Sequence, residues 1–529
     1  MEEITGLRLA VDKSDFSPRY KAILLTLIEE IVAIKKTKKE KQAELERIRR
    51  MLAQSSEKRS QGNNQNAAKE ENPPSIVHPR NHGRHGAKDY KFSKTTQCSH
   101  QELKTGQSCP DCDHGTLQEI EPRKIIRLIG KAPIDAELYQ PARLRCGGCG
   151  KIFTAELPPE IGEEKADASA NALVAVFRYG MGIPHYRLAQ IQRAMGVPLP
   201  ASTQYEMVEM LWTQVVPVFK ELLHQAANWP LMFVDDTPAK VLELMKGKAE
   251  RKAAGERVGI FTTAIVAQHE GRHINLFFTG RNHAGENLRE LLEHRNNQLF
   301  PPIQMSDALS RNMPQDDGLT IVSLCLIHGR RNFIDCETAF PDEAAYVIER
   351  IALVYKHEKH CREKKLDDHQ RLIYHQQNSQ KPMDEIRAYA DQKLKDKEVE
   401  PNSVLGQAFQ YLQNHWTGMT RFLSIPGAPI DNNAAERLIK RCIMHRKNSL
   451  FYKTENGARV GDCLMSLIQT CIAADESPFE YLTVLQKNSR HVAKNPHLWL
   501  PWNYRNTMRS IGPPSGVPEK SAVAAEISA

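Results

Sequence analysis

Between residues 24 and 52 apolar side chains return every seven positions, with Leu24, Ile31, Leu45 and Leu52 on one line and Leu27, Ile34 and Ile48 on a second. A heptad repeat keeps an apolar seam on one side of a helix and favours a supercoiled partner, while Lys38 and Lys41 interrupt the seam and would fix its register. The pattern predicts an N-terminal helix within residues 1–53 that self-associates as a coiled coil; packing against its own chain is the alternative. Residues 54–97 then almost lack large apolar groups. They bury too little to offset chain entropy, which predicts a flexible basic linker. From residue 166 to 228 a helical period returns, broken at Gly196-Val197-Pro198-Leu199-Pro200. Residues 161–228 therefore have a helix-turn-helix outline, the second helix starting at a capping box of Thr203 and Glu206. That helix has no Lys or Arg before Lys220 and carries Val208, Leu211, Trp212, Val215 and Phe219, which suits packing in a hairpin better than reading DNA.

The period changes again at Leu231-Met232-Phe233-Val234, four large apolar residues ending in Asp235 and Asp236 and stopped by Pro238. Such a run predicts a strand buried on both faces, with two carboxylates at the rim of a core that need hydrogen bonds or a metal ion. Strands are expected at 258–268 and 273–279, joined by a turn at Glu270-Gly271-Arg272, followed by a helix at 284–295. A short strand from Ile303 to Ser306 ends in Asp307, and another at 320–326 leads into Cys325 and His328. Strand, strand, strand, helix, strand is the beginning of a ribonuclease H-like α/β domain. In that fold the first and fourth strands are neighbours, so Asp235 and Asp307 should face one another. Residues 341–419 are charged and helical, at 343–365, 384–395 and 404–415, and read as a helical insertion. The predicted order is therefore a ribonuclease H-like domain in two parts (229–340 and 420–475) around that insertion. The 98–160 module and the helical 161–228 region precede it, and a C-terminal helix and tail (476–529) follow.

Composition adds little until cysteine is considered. The chain of 529 residues carries a formal net charge of +8, which permits a polyanionic partner without requiring one. The start lacks a basic, apolar leader and no run approaches a membrane span, so a cytoplasmic protein is expected. Cys109-Pro-Asp-Cys112 and Cys146-Gly-Gly-Cys149 form two CxxC knuckles, the spacing that tetrahedral thiolate coordination of zinc requires. Strands expected at 125–129 and 136–144 make 98–160 resemble a zinc ribbon, too small to fold without its metal. Unmetallated CxxC pairs are the alternative, and Cys98, His100 and His114 are spare ligands.

The remaining motif is Pro429-Ile-Asp431-Asn432-Asn433-Ala-Ala-Glu436-Arg437. Asn433 and Glu436 fit an N-cap and its capping-box partner, a purely structural role worth about 1 kcal/mol. The helix dipole would also keep a first-turn Glu ionised. Arg437, Lys440, Arg441, His445, Arg446 and Lys447 crowd the same helix and its exit, with Glu436, Lys440 and Lys447 on one stripe, as expected where a metal-bound phosphate chain passes.

Taken together, Val234-Asp235-Asp-Thr-Pro, the segment from Cys325 to Phe333, the Asn-Asn-Ala-Ala-Glu436-Arg run, Arg446-Lys-Asn-Ser-Leu-Phe451 and Leu500-Pro-Trp-Asn503 resemble transposases of the insertion sequence 66 type, in the DDE group. The resemblance covers nearly the whole chain. It implies Asp235, Asp307 and Glu436 as the catalytic acids, with Asp316 or Asp317 as nearby alternatives to Asp307, and Cys325 and His328 as neighbours of the site and not ligands. It also implies two Mg2+ (or Mn2+) ions on the acids, zinc in the ribbon, and phosphate contacts from Arg437, Lys440, Arg441, Arg446 and Lys447. The reaction implied is nicking at the ends of a mobile element and strand transfer into target DNA. Double-stranded DNA, a homo-oligomer and accessory proteins are the expected partners, at the bacterial nucleoid. A structure-specific nuclease of the same fold, or a zinc-containing DNA-binding protein without catalysis, are the rivals.

Overall fold

The computed structural model describes Lys21 and residues 105–107, 131–145, 152–156, 164–313 and 318–511. The coiled coil, the linker, the four CxxC cysteines, Asp316, Asp317 and the tail from residue 512 lie outside the described residues. The chain divides into two units at Lys131/Ala132, and the description below concerns the second.

Five strands form a mixed sheet: β1 (Leu231–Pro238), β2 (Phe261–His269), β3 (Arg272–Gly280), β4 (Ile303–Ser306) and β5 (Ile321–Leu324), in the spatial order β3-β2-β1-β4-β5. The first three strands are antiparallel, and β4 and β5 run parallel to β1. The first and fourth strands are adjacent, consistent with the ribonuclease H-like order expected. The β2–β3 turn sits at Glu270 and Gly271, with φ of 48° and 74°. Left-handed residues at both central positions let a tight hairpin follow the strand twist.

Eleven of the helices frame the sheet: α1 (Ala168–Ala175), α2 (His185–Ala194), α3 (Ala201–Asn228), α4 (Ala284–Leu292), α5 (Leu326–Cys336), α6 (Pro341–Glu363), α7 (Asp368–Asn378), α8 (Gln380–Lys395), α9 (Val404–Met419), α10 (Asn433–Ser449) and α11 (Glu455–Ala473). One core joins α1, α3, α10 and α11 to β1, β2 and β3 through residues such as Leu211, Leu222, Val234, Ile265, Phe277 and Ile468. A second core holds the insertion helices on the β4–β5 side, around Leu324, Phe333, Ile351, Phe409 and Leu412. Gly418 allows that approach, since a Cβ there would lie 2.6 Å from the Leu324 side chain. Within the insertion, Glu358 is buried and held by His375 (3.0 Å), Arg371 (2.8 Å) and Arg362 (3.1 Å).

The outer edge of the sheet is closed by a helix acting in place of a strand. Thr279 N–H donates to Asp462 (2.6 Å), Phe277 N–H to the Ser466 hydroxyl (3.0 Å) and Asn275 N–H to the Thr470 hydroxyl (3.0 Å). Four helical residues advance about 6 Å and two strand residues about 6.7 Å, so a polar stripe at every fourth position of α11 meets alternate amides of β3. Without it each buried amide would cost about 1–3 kcal/mol.

Several expectations are corrected. Thr203 is not a cap, because α3 begins at Ala201 after Pro200, whose fixed φ already suits a helix start. On its apolar face Val208, Leu211 and Val215 are fully buried and Trp212 and Phe219 partly so, in keeping with hairpin packing. The strand expected at 136–144 reduces to Arg143–Arg145, paired with Ile152–Thr154. Helix α7 was not expected, because its sequence is mostly polar. Among the described residues no helix is long and apolar enough to cross a membrane.

Candidate active site

The parallel pair of β1 and β4 brings the first two acids together. Leu231 pairs with Ile303 and Phe233 with Met305, the ladder ends there, and Asp307 follows the last residue of β4. Asp235 lies within β1 where its pairing with β4 has ended, and Asp307 is the charge that acts most strongly on its carboxyl. The Asp307 carboxylate accepts from Leu309 N–H (3.2 Å) and from the Asn312 side-chain amide.

Asp236 points the other way. Its buried carboxylate meets His283 Nδ1 at 3.1 Å and Arg311 Nε at 3.3 Å. It ties β1 to the start of α4.

The third acid arrives on α10. Asn432, not Asn433, precedes the helix, and its side chain does not cap it; Asp431 accepts from Asn433 N–H instead (3.1 Å). The Asn432 amide donates to Val234 carbonyl at 3.0 Å, and Asn432 N–H donates to Cys325 Sγ at 3.3 Å. Leu326 N–H donates to Ile430 carbonyl at 3.0 Å and Cys325 N–H to Ser306 carbonyl at 2.9 Å. One asparagine therefore fastens the helix start to the residue before Asp235 and to the turn after β5. Glu436, one turn on, lies close enough to Asp235 for its charge to be felt there.

The electrostatics follow from this crowding. Burial, then the negative charge of Asp307, Asp236 and Glu436, push the Asp235 carboxyl up to about 7, against the Asp236 N–H that hydrogen-bonds its charged form. Glu436 Oε1 is buried with no hydrogen-bond partner among the described residues, and so is His328 Nδ1. Burial raises the Cys325 thiol to about 11, opposed by hydrogen bonds from Asn432, His328 and Ile327. Ligand atoms of Cys325, His328 and Glu436 all lie within 4.8 Å of one another. A cluster of hard oxygen donors with mutually unfavourable charge and an unpaired buried oxygen fits a divalent cation such as Mg2+.

Of the basic residues expected to meet phosphate, Arg437, Lys440, Arg441 and Lys447 are exposed along α10. Arg446 is turned inward, donating to the Thr237 hydroxyl (3.1 Å) and to the Pro238 carbonyl. His445 is no surface base: it is buried between Tyr179 and Tyr452, with ring centroids at 5.9 and 5.2 Å. Burial and nearby Arg178 push it down to about 3, so it stays neutral. Sequence reasoning missed Asn432, although the doubled Asn of the motif was a usable signal.

The model of the Transposase IS66 family matches residues 164–460, more than half of the chain, and spans all three acids. Among curated proteins, the chain is 25% identical over 348 residues to the uncharacterized protein y4jD of Sinorhizobium fredii, covering 64% of this chain and 66% of that protein. A second uncharacterized protein of the same organism, y4qI, is 24% identical over 345 residues, covering 63% of this chain and 62% of the relative. The chain thus spans just under two thirds of the length of these relatives.

Proposed function

The chain belongs to the IS66 family of transposases, and from that premise we propose that it binds the ends of its mobile element, nicks them and joins them to target DNA, with Asp235, Asp307 and Glu436 as the catalytic acids. What supports this reading is that the charges of Asp307 and Glu436 both act on the Asp235 carboxyl, while Asn432 anchors the Glu436 helix to β1. Two divalent cations held by the three carboxylates would supply activation of the attacking oxygen and charge stabilisation of the leaving one. The protein itself supplies position. Asp235 is fixed by strand backbone, Asp307 by hydrogen bonds from Leu309 N–H and the Asn312 amide, and Glu436 by a helix start that two other elements hold, so little reorganisation is needed when DNA arrives.

Exposed Arg437, Lys440, Arg441 and Lys447 line the helix that begins with Glu436 and would hold the DNA backbone, which makes affinity fall steeply with salt. Arg446 contributes by fixing the end of β1. In this reading the ribonuclease H-like domain comprises residues 229–340 and 420–475 with a helical insertion at 341–419. A zinc ribbon on Cys109, Cys112, Cys146 and Cys149 and a self-associating N-terminal helix precede the 161–228 helical region. The test is Mg2+-dependent joining of an oligonucleotide bearing the element's end to a target plasmid. Joined product supports the proposal; cutting without joining would identify a nuclease, and binding without either would identify a DNA-binding protein.

A further inference from the structure

Cys325 and His328 sit three residues apart across the turn from β5 into α5, which Cys325 N-caps, so the first turn of that helix presents both side chains to the start of α10. Their ligand atoms and a Glu436 carboxylate oxygen fall within 4.8 Å of one another. Ligands of a tetrahedral ion at bond lengths of about 2.0–2.3 Å stand about 3.5 Å apart, so closing onto an ion takes roughly an ångström of side-chain rotation. In the same two residues, His328 Nδ1 and Glu436 Oε1 are buried and have no hydrogen-bond partner among the described residues. A buried, unpaired imidazole nitrogen and carboxylate oxygen converging on a thiol are costly unless something joins them.

We infer that Cys325, His328 and Glu436 form a second cation site, selective for a borderline-soft divalent ion of the zinc class, whose occupation draws Glu436 away from Mg2+ and switches strand transfer off. The inhibitory part rests on the catalytic reading of Glu436; the binding part does not. Thiolate and imidazole select zinc, cobalt or copper over magnesium, which prefers oxygen alone. Binding would release the thiol proton to solvent and leave a fourth position for water. The site shares no residue with the CxxC knuckles.

The test titrates Co2+, as a spectroscopic stand-in for zinc, into the full-length protein and follows thiolate-to-cobalt absorption and bound metal. The expected result is that Cys325→Ser binds one Co2+ per chain fewer than the unaltered protein. His328→Gln should weaken that same site by at least about tenfold, the scale seen on losing even an outer-shell partner. Asp235→Asn, which removes only a magnesium ligand, should keep it. In parallel, the ratio of strand transfer with and without Zn2+ is measured for the unaltered and Cys325→Ser proteins at fixed excess Mg2+; Cys325→Ser should need at least about tenfold more Zn2+ for half inhibition. Identical Co2+ stoichiometry in the unaltered and Cys325→Ser proteins, with both folded by circular dichroism, overturns the site. Cysteine-dependent Co2+ binding without strand transfer in any protein would uphold the site and overturn the transposase reading instead. Binding at Cys325 with no effect of Zn2+ on an active enzyme overturns the inhibitory role.

Discussion

Asp235 and Asp462 are both aspartates of the same domain, both drawn up to about 7, and they do opposite things. Asp462 is raised by burial alone, and its two oxygens are matched by the Thr279 N–H at 2.6 Å and the Thr279 hydroxyl at 2.7 Å. It seals the β3 edge. Asp235 is raised by burial and also by three other carboxylates, and the nearby Glu436 Oε1 has no hydrogen-bond partner among the described residues. A shifted carboxyl therefore does not mark a catalytic site. Like charges gathered without enough donors are the feature on which the proposed site rests, because a cation would complete them.

The comparison breaks most sharply by substitution. Asp235→Asn or Glu436→Gln should lower strand transfer by about a thousandfold or more while end binding persists, since only the metal-dependent step needs the charge. Gel-shift and joining assays on the same preparation read both. Asp462→Ala should do the reverse. It leaves the Thr279 amide unpaired at the sheet edge and the Thr279 hydroxyl with Thr262 alone, and should cost about 1–3 kcal/mol in urea unfolding, with the chemistry of the remaining folded fraction unchanged.

Asn432→Ala lies between the two. Losing the bond to the Val234 carbonyl releases the helix start that carries Glu436, and a displacement of about an ångström should lower strand transfer by tenfold to a hundredfold. Affinity for end DNA, measured alongside, should hold.

Acidity separates the aspartates further. Asp462 has an ordinary value of 3.8 and sits near 7 in the folded chain, so between those values the folded protein keeps a proton that the unfolded chain has lost. Its contribution is therefore greatest in acid, falls as pH rises from about 4 to about 7, and is flat above. Asp462→Asn should flatten that slope in denaturation curves taken at several pH values, since the Thr279 hydroxyl can turn to accept from the new amide. The smallest effect belongs to the surface: Lys440→Ala should reduce the salt slope of DNA binding by about one phosphate contact, without altering the base preference.

How much of this was readable in advance follows physical lines. Met232, Phe233 and Val234 announced a strand buried on both faces, and the element order placed Asp307 beside Asp235, because both are properties of local pattern. Glu436 was visible within a short motif. The partners of Asn432 were not, since Val234 and Cys325 lie far from it along the chain and nothing local encodes the pairing. Nor was the stripe of Asp462, Ser466 and Thr470, whose spacing marks one face of α11 but gives no hint that the face meets strand amides. Helix α7 escaped because its capping box at Asp367 and Gln370 preceded no apolar stripe.

The central claim is that Asp235, Asp307 and Glu436 converge to hold divalent cations. It is tested most directly by soaking crystals of the full-length protein, bound to end DNA with a blocked 3′-hydroxyl, in Mn2+ and collecting anomalous diffraction. Manganese peaks bridging the three carboxylates, absent in Asp235→Asn crystals treated identically, are the predicted result. Ordered DNA at α10 with no manganese between those side chains would contradict the account.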